Sequence, residues 1–181
     1  MVMPTLIALT WQLLIPPQQI VARNAAHVYV EADAADVAAS AVLPPNIRLS
    51  RIYRSIVQDM LRRSPTFRRQ CSRLGREPLL TVTVEPALLP RRPGSAATTT
   101  ITRDARGGTE AAVHISGDSL IELIAHEFEH ILEQLDSVDL AAMAARSGTG
   151  VRAVSELGHF ETDRAIAAGR RVESEMASAR R

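Results

Sequence analysis

The sequence predicts an α+β fold: a helical first half, a small antiparallel sheet, then two longer helices that close the chain. Apolar residues recur at i, i+3 and i+4 over 47–61 and over 120–135, the period of a half-buried helix. Between them, 79–84, 97–102 and 111–116 are short, β-branched and bounded by Pro or Gly, the texture of strands. A length of 181 residues suits one domain with a buried core.

In order, residues 1–26 read as an N-terminal targeting segment and 27–181 as a single domain. Leu6 to Ile15 is apolar enough for the core of an export signal, and Ala22 to Ala26 supplies small residues for cleavage. No Lys or Arg precedes that core and Trp11-Gln12 interrupts it, so secretion and a cytoplasmic location both stay open. His27 to Glu31 suits a short strand and Ala32 to Ala41 a helix, ended by Pro44-Pro45. Ile47 to Leu61 is then an amphipathic helix, and Thr66 to Leu74 a second one stopped by Gly75. Leu79 to Val84 is a strand, Pro90 to Gly94 a loop, and Ala97 to Thr102 with Ala111 to Ser116 an antiparallel hairpin. Ser119 and Glu122 have capping-box spacing, so a helix starts there and runs to Leu135. Leu140 to Ala145 is a short helix, Ser147 to Gly150 a flexible connector, and Phe160 to Met176 the last helix.

Composition excludes several roles. Aromatics make up only 3% of the chain, too few for base-stacking platforms, and the net charge of +1 draws in neither nucleic acid nor anionic lipid. No nucleic-acid partner is expected, and no run is long enough for an integral membrane segment. All 21 basic residues are arginine, a coding bias of GC-rich, typically bacterial genomes. Eight of them, from Arg51 to Arg76, crowd the two early helices; they read first as a solvated face and second as a surface for an anionic partner. Cys71 is alone, so no internal disulfide forms.

The chemistry concentrates in LIELIAHEFEHILEQL, residues 120–135, where His126, Glu127 and His130 form H-E-x-x-H. Residues i and i+4 lie about 40° apart around a helix, so both imidazoles project from one side and can grip one Zn²⁺. Glu127 stands beside them as a proton acceptor. With five His and twelve Glu in the chain, random placement yields the pattern with a probability of about 1%. The plainer reading is two surface histidines, one of them paired with Glu129 or Glu133.

Catalytic zinc generally takes a third protein ligand. Downstream candidates are Glu156, His159, Glu161 and Asp163. The extended pattern H-E-x-x-H-x-x-G-x-x-H is absent, because positions 133–136 hold neither the glycine nor the third histidine.

His126-Glu127-Phe128-Glu129-His130, followed about thirty residues later by Glu161-Thr162-Asp163-Arg164-Ala165, resembles the gluzincin metallopeptidases. It is also similar to small bacterial metalloproteases with an HEFEH helix and a later FETxRA segment. The resemblance covers about residues 111–172. It implies a minimal zincin-like domain: a small antiparallel sheet packed with the HExxH helix and a C-terminal ligand helix. It further implies one Zn²⁺ held by His126, His130 and Glu161, and hydrolysis of peptide or protein substrates by metal-activated water with Glu127 as general base. The family's usual Glu-x-x-x-Asp spacing would put the ligand at His159, four before Asp163, so His159 stays open as an alternative.

Other roles follow the same logic. Asp163 can orient a ligating imidazole, or pair on the surface with Arg164 or Arg170. His114 can donate to an oxyanion, and its strand AAVHIS can be the edge onto which an extended peptide adds. Cys71 as a metal ligand, as in peptide deformylases, is the weakest alternative. A non-catalytic zinc-binding partner or regulatory module is the competing functional class, and a plain structural helix the third.

Overall fold

A computed structural model describes residues 41–87, 96–155 and 159–179, all within one compact unit. The expectations for 1–40, for the loop at 90–94 and for Glu156 lie outside the described residues. Within them the fold is mixed α and β, with six strands and five α-helices.

Strand β1 (Ile47–Leu49) leads through a 3₁₀ turn (Arg51–Tyr53) into α1 (Arg54–Arg63) and α2 (Pro65–Gly75). The helical reading of 47–61 is therefore corrected at its start. Ile47 and Leu49 alternate as well as recur, and both pair with β2 (Leu80–Pro86), opposite Val82 and Val84. Ser64 divides α1 from α2: its Oγ accepts from the Phe67 amide, and Pro65 opens α2 where a missing N–H costs nothing. Glu175 supports that junction, accepting from the Thr66 amide at 3.1 Å, the Thr66 hydroxyl at 2.7 Å and the Ser64 hydroxyl.

Strands β3 (Ala97–Arg103) and β4 (Thr109–Ile115) form the expected antiparallel hairpin, but the whole sheet is mixed. Its order is β1-β2-β4-β3, with β1–β2 and β2–β4 parallel. Two features produce this. A crossover through α1 and α2 returns the chain in the same direction, and β4 inserts between β2 and β3. The strand AAVHIS is therefore interior, with β1 and β3 outermost among the described residues, which overturns the expectation that a peptide would add to AAVHIS.

The core is aliphatic, as 3% aromatics requires. Val82 and Val84 of β2 and Val113 and Ile115 of β4 meet Val57, Met60, Phe67, Leu74, Ile124 and Phe128. Phe67 and Phe128 stack with centroids 5.5 Å apart, joining α2 to α3 (Leu120–Leu135). In α3 the stripe Ile124, Phe128, Ile131 is fully buried, with Leu120 and Leu135 half-buried at its ends. Ser119 stands at the N-cap, but its ψ of 59° makes no side-chain cap bond, so the capping box is not formed. Cys71 lies inside this core, and burial pushes its thiol up, out of reach of metal chemistry.

After α3 come α4 (Leu140–Ala144), a second sheet formed by β5 (Val151–Ser155) and β6 (His159–Thr162), and α5 (Asp163–Ser178). The expected last helix thus begins three residues late. Thr162 in extended conformation caps α5, accepting from the Ala165 amide, so His159, Phe160 and Glu161 stay in strand. Helix α5 crosses α3 closely at Gly169. A Cβ there would lie 2.8 Å from the Glu122 carbonyl oxygen and 3.3 Å from the His126 Cβ.

The arginines of α1 and α2 do varied work. Arg68 caps the end of α1 through the Leu61 and Arg62 carbonyls, Arg69 bonds Thr66, Arg73 pairs with Asp136, and Arg62 pairs with Asp59. No helix among the described residues is long and apolar enough to cross a membrane.

Candidate metal centre

Around α3 the residues sort by angle. Glu122, His126, Glu129 and Glu133 recur at i, i+4, i+7 and i+11, one stripe along the helix. That stripe packs on β6 and the start of α5. Glu129 accepts from Arg164 Nε at 2.6 Å, Glu133 from the Thr162 hydroxyl at 2.7 Å, and Gly169 lies against Glu122 and His126. His130 lies just off the stripe, and Glu127 lies about 100° from His126, toward the sheet.

This docking brings three donor atoms together. His126 Nε2 is 3.1 Å from His130 Nε2 and 3.3 Å from Glu161 Oε1, and His130 Nε2 is 3.7 Å from the same oxygen. Metal–ligand bonds of 2.0–2.1 Å in a tetrahedron place donor atoms about 3.3–3.4 Å apart. The three separations straddle that value, so the donor set fits one tetrahedral cation with a corner left open. The rings meet edge to face, at 81°. Among the described residues, His126, His130 and Glu161 are the one group that could hold a metal ion.

Glu133 holds the arrangement from behind. Its Oε2 lies 2.9 Å from His130 Nδ1, which leaves Nε2 as the free donor when Nδ1 carries the proton. Its Oε1 takes the Thr162 hydroxyl, whose oxygen also caps α5. One nearly inaccessible carboxylate (2% exposed) therefore orients one candidate donor and anchors the residue next to another. The pairing of His130 with Glu133 and a metal role for His130 are compatible, because they use different ring nitrogens. Glu133→Ala should weaken zinc binding by about 10–100-fold, read by titration against a chelating dye.

Glu129, also buried, is satisfied by Gln70 Nε2 at 2.7 Å and by Arg164, which also reaches Asp136 at 2.9 Å. Gln70 further donates to the Ala125 carbonyl, locking α2 onto the turn that carries His126.

Glu127 is 5% exposed, and its Oε2 accepts from the Thr99 hydroxyl at 2.6 Å. Burial pushes its carboxyl up, opposed in part by the Thr99 bond and the two imidazoles. Thr99 belongs to β3, an outer strand of the sheet among the described residues, so the buried acid adjoins that strand. Glu161 is partly buried. Burial pushes it up, but the His130 hydrogen bond and the His126 charge outweigh that and hold it below the ordinary carboxylate value.

Burial alone would lower His130, yet its bonds to Glu133 and Glu161 outweigh burial and raise its pKa to about 9. A metal ion must displace the proton at Nε2. Below about pH 9 zinc affinity should therefore climb roughly tenfold per pH unit from this group alone. Competitive titrations between about pH 6.5 and 8 would read that slope.

Other expected residues lie elsewhere. His159 is exposed and outside the donor cluster. Asp163 is 70% exposed and faces Arg152 at 3.8 Å, so it orients no imidazole, and its ion pair is with neither Arg164 nor Arg170. His114 pairs with Thr98, whereas Thr99 pairs with Val113. Alternation along β3 and β4 therefore puts His114 on the sheet face opposite to Thr99 and Glu127. It cannot serve an oxyanion there.

Sequence reasoning missed Thr99, Thr162 and Arg164 as site residues. Only a threonine-rich strand and an arginine in the later segment signalled them. No family model, curated protein or solved structure matches the chain, and the site's own geometry is what its chemistry rests on.

Proposed function

We propose that the protein is a zinc-dependent metallopeptidase. The supporting observation is the convergence of His126, His130 and Glu161 beside the buried carboxylate of Glu127. Bound to these three residues, Zn²⁺ would supply Lewis-acid polarisation of a carbonyl and acidification of a water molecule.

The chain's own groups do the rest. Thr99 occupies Glu127 Oε2, so Oε1 is the oxygen that accepts the proton from the attacking water and passes it to the leaving amine. Burial raises the proton affinity of that carboxylate, against the opposing Thr99 hydrogen bond and imidazoles, the direction that suits a group taking up a proton. Glu133 keeps His130 in one tautomer and one orientation throughout. Strand β3 is an outer strand among the described residues, and an extended peptide pairing along it would lie next to Thr99 and thus next to Glu127.

Digestion of a mixed fluorogenic peptide library by zinc-loaded protein tests the proposal. Cleavage that stops on chelation and returns with zinc is the expected result. Stoichiometric zinc without cleavage at any pH would instead support a non-catalytic zinc-binding module.

A further inference from the structure

Between α4 and β5 the chain turns through Ser147-Gly148-Thr149-Gly150, with both glycines at positive φ (76° and 71°). The turn borders an open cavity of about 400 Å³ whose charged lining is Arg146, Arg152 and Asp163. These three leave one net positive charge.

The cavity adjoins the metal centre through the β5–β6 pairing. Arg152 is the direct cross-strand partner of Glu161, so both side chains leave the same face of the hairpin. Directly opposed residues have Cβ atoms about 5 Å apart. Arg152 is 60% exposed, and its contact with Asp163 is loose, at 3.8 Å. An exposed pair at that separation contributes little and exchanges readily for a better acceptor. A carboxylate presenting two oxygens to the guanidinium is such an acceptor.

We infer that this cavity is a carboxylate subsite that selects peptides with a negative charge just beyond the scissile bond. The inference rests on the peptidase reading for its substrate, and the cavity itself for its chemistry. An extended chain advances about 3.3 Å per residue, so a carboxylate one or two residues past the reacting carbonyl falls within the range of the cross-strand spacing of about 5 Å between the Cβ atoms of a directly opposed pair such as Arg152 and Glu161. Asp163 favours a monoanion over a phosphate dianion, because a second negative charge would face it unpaired.

The test uses zinc-loaded Glu127→Gln protein and two labelled peptides of one sequence, ending in a free carboxylate or a carboxamide. The free acid should bind at least about tenfold more tightly, a difference of about 1.4 kcal/mol. Arg152→Gln should bring the ratio to about one without changing zinc content, and Arg152→Lys should restore part of it. An amidated peptide with glutamate near its end tests the other source of the group. Tight binding abolished by Arg152→Gln would assign the carboxylate to a side chain. Peptide binding with equal affinity for acid and amide, and no gain from glutamate, would overturn the subsite. So would a preference that survives Arg152→Gln, or one that inorganic phosphate abolishes at concentrations where acetate does not.

Benzoate, followed through the Arg152 side-chain N–H resonance, separates the two proposals. A shift at millimolar benzoate without binding of any peptide keeps the subsite and sinks the peptidase reading. Cleavage of peptides without a benzoate shift does the reverse.

Discussion

Glu127→Gln is expected to keep one zinc per chain and to lose about 10²–10⁴-fold in turnover of a cleaved peptide. The substitution is close to isosteric. The amide oxygen can still accept from the Thr99 hydroxyl, and the side chain remains between α3 and β3. What disappears is the ability to take a proton. Burial already disfavours the charged carboxylate, so a neutral amide should leave the melting temperature unchanged or raise it. Turnover by Glu127→Gln equal to wild type would remove the general base from the account.

Glu161→Ala should remove most zinc binding, a larger loss than the 10–100-fold typical of an outer partner. Two imidazoles alone leave the cation with one anionic donor fewer and two open corners. The fold should survive, because Thr162 still caps α5 and still bonds Glu133. The pH dependence of residual binding should shift as well: without Glu161, His130 loses one of the partners that raise its pKa to about 9. His159→Ala is the matched control, and its exposed position predicts unchanged zinc affinity. Zinc lost on His159→Ala and kept on Glu161→Ala would reverse the assignment of the third donor.

These expectations rest on features of unequal legibility. The span of α3 could be read to the residue, because a strong 3.6-residue period and the H-E-x-x-H pattern coincide. The hairpin was legible as such, with its strands read as 97–102 and 111–116 against the observed Ala97–Arg103 and Thr109–Ile115. The parallel pairing of β1 and β2 was not, since three residues carry too little periodicity to separate strand from helix and their partners lie over thirty positions away. Glu161 was visible as a candidate donor, but its place at a strand end was not. The apolar spacing after Phe160 continues smoothly into α5, and only the extended backbone at Thr162 stops the helix from starting earlier. Glu133 stood three residues beyond His130, a spacing that suits a helical pair, yet its second bond to Thr162 depends on how α5 docks. Thr99 was silent for the same reason: a hydroxyl in a threonine-rich strand gains meaning only when the sheet brings it to Glu127.

Zinc-edge X-ray absorption on the purified wild-type protein, with metal content measured on the same sample, decides whether His126, His130 and Glu161 hold a metal ion. One zinc per chain is expected, bound by two imidazole nitrogens and carboxylate oxygen at about 2.0–2.2 Å. A protein that takes up no stoichiometric metal, or whose zinc shows no imidazole scattering, would contradict it.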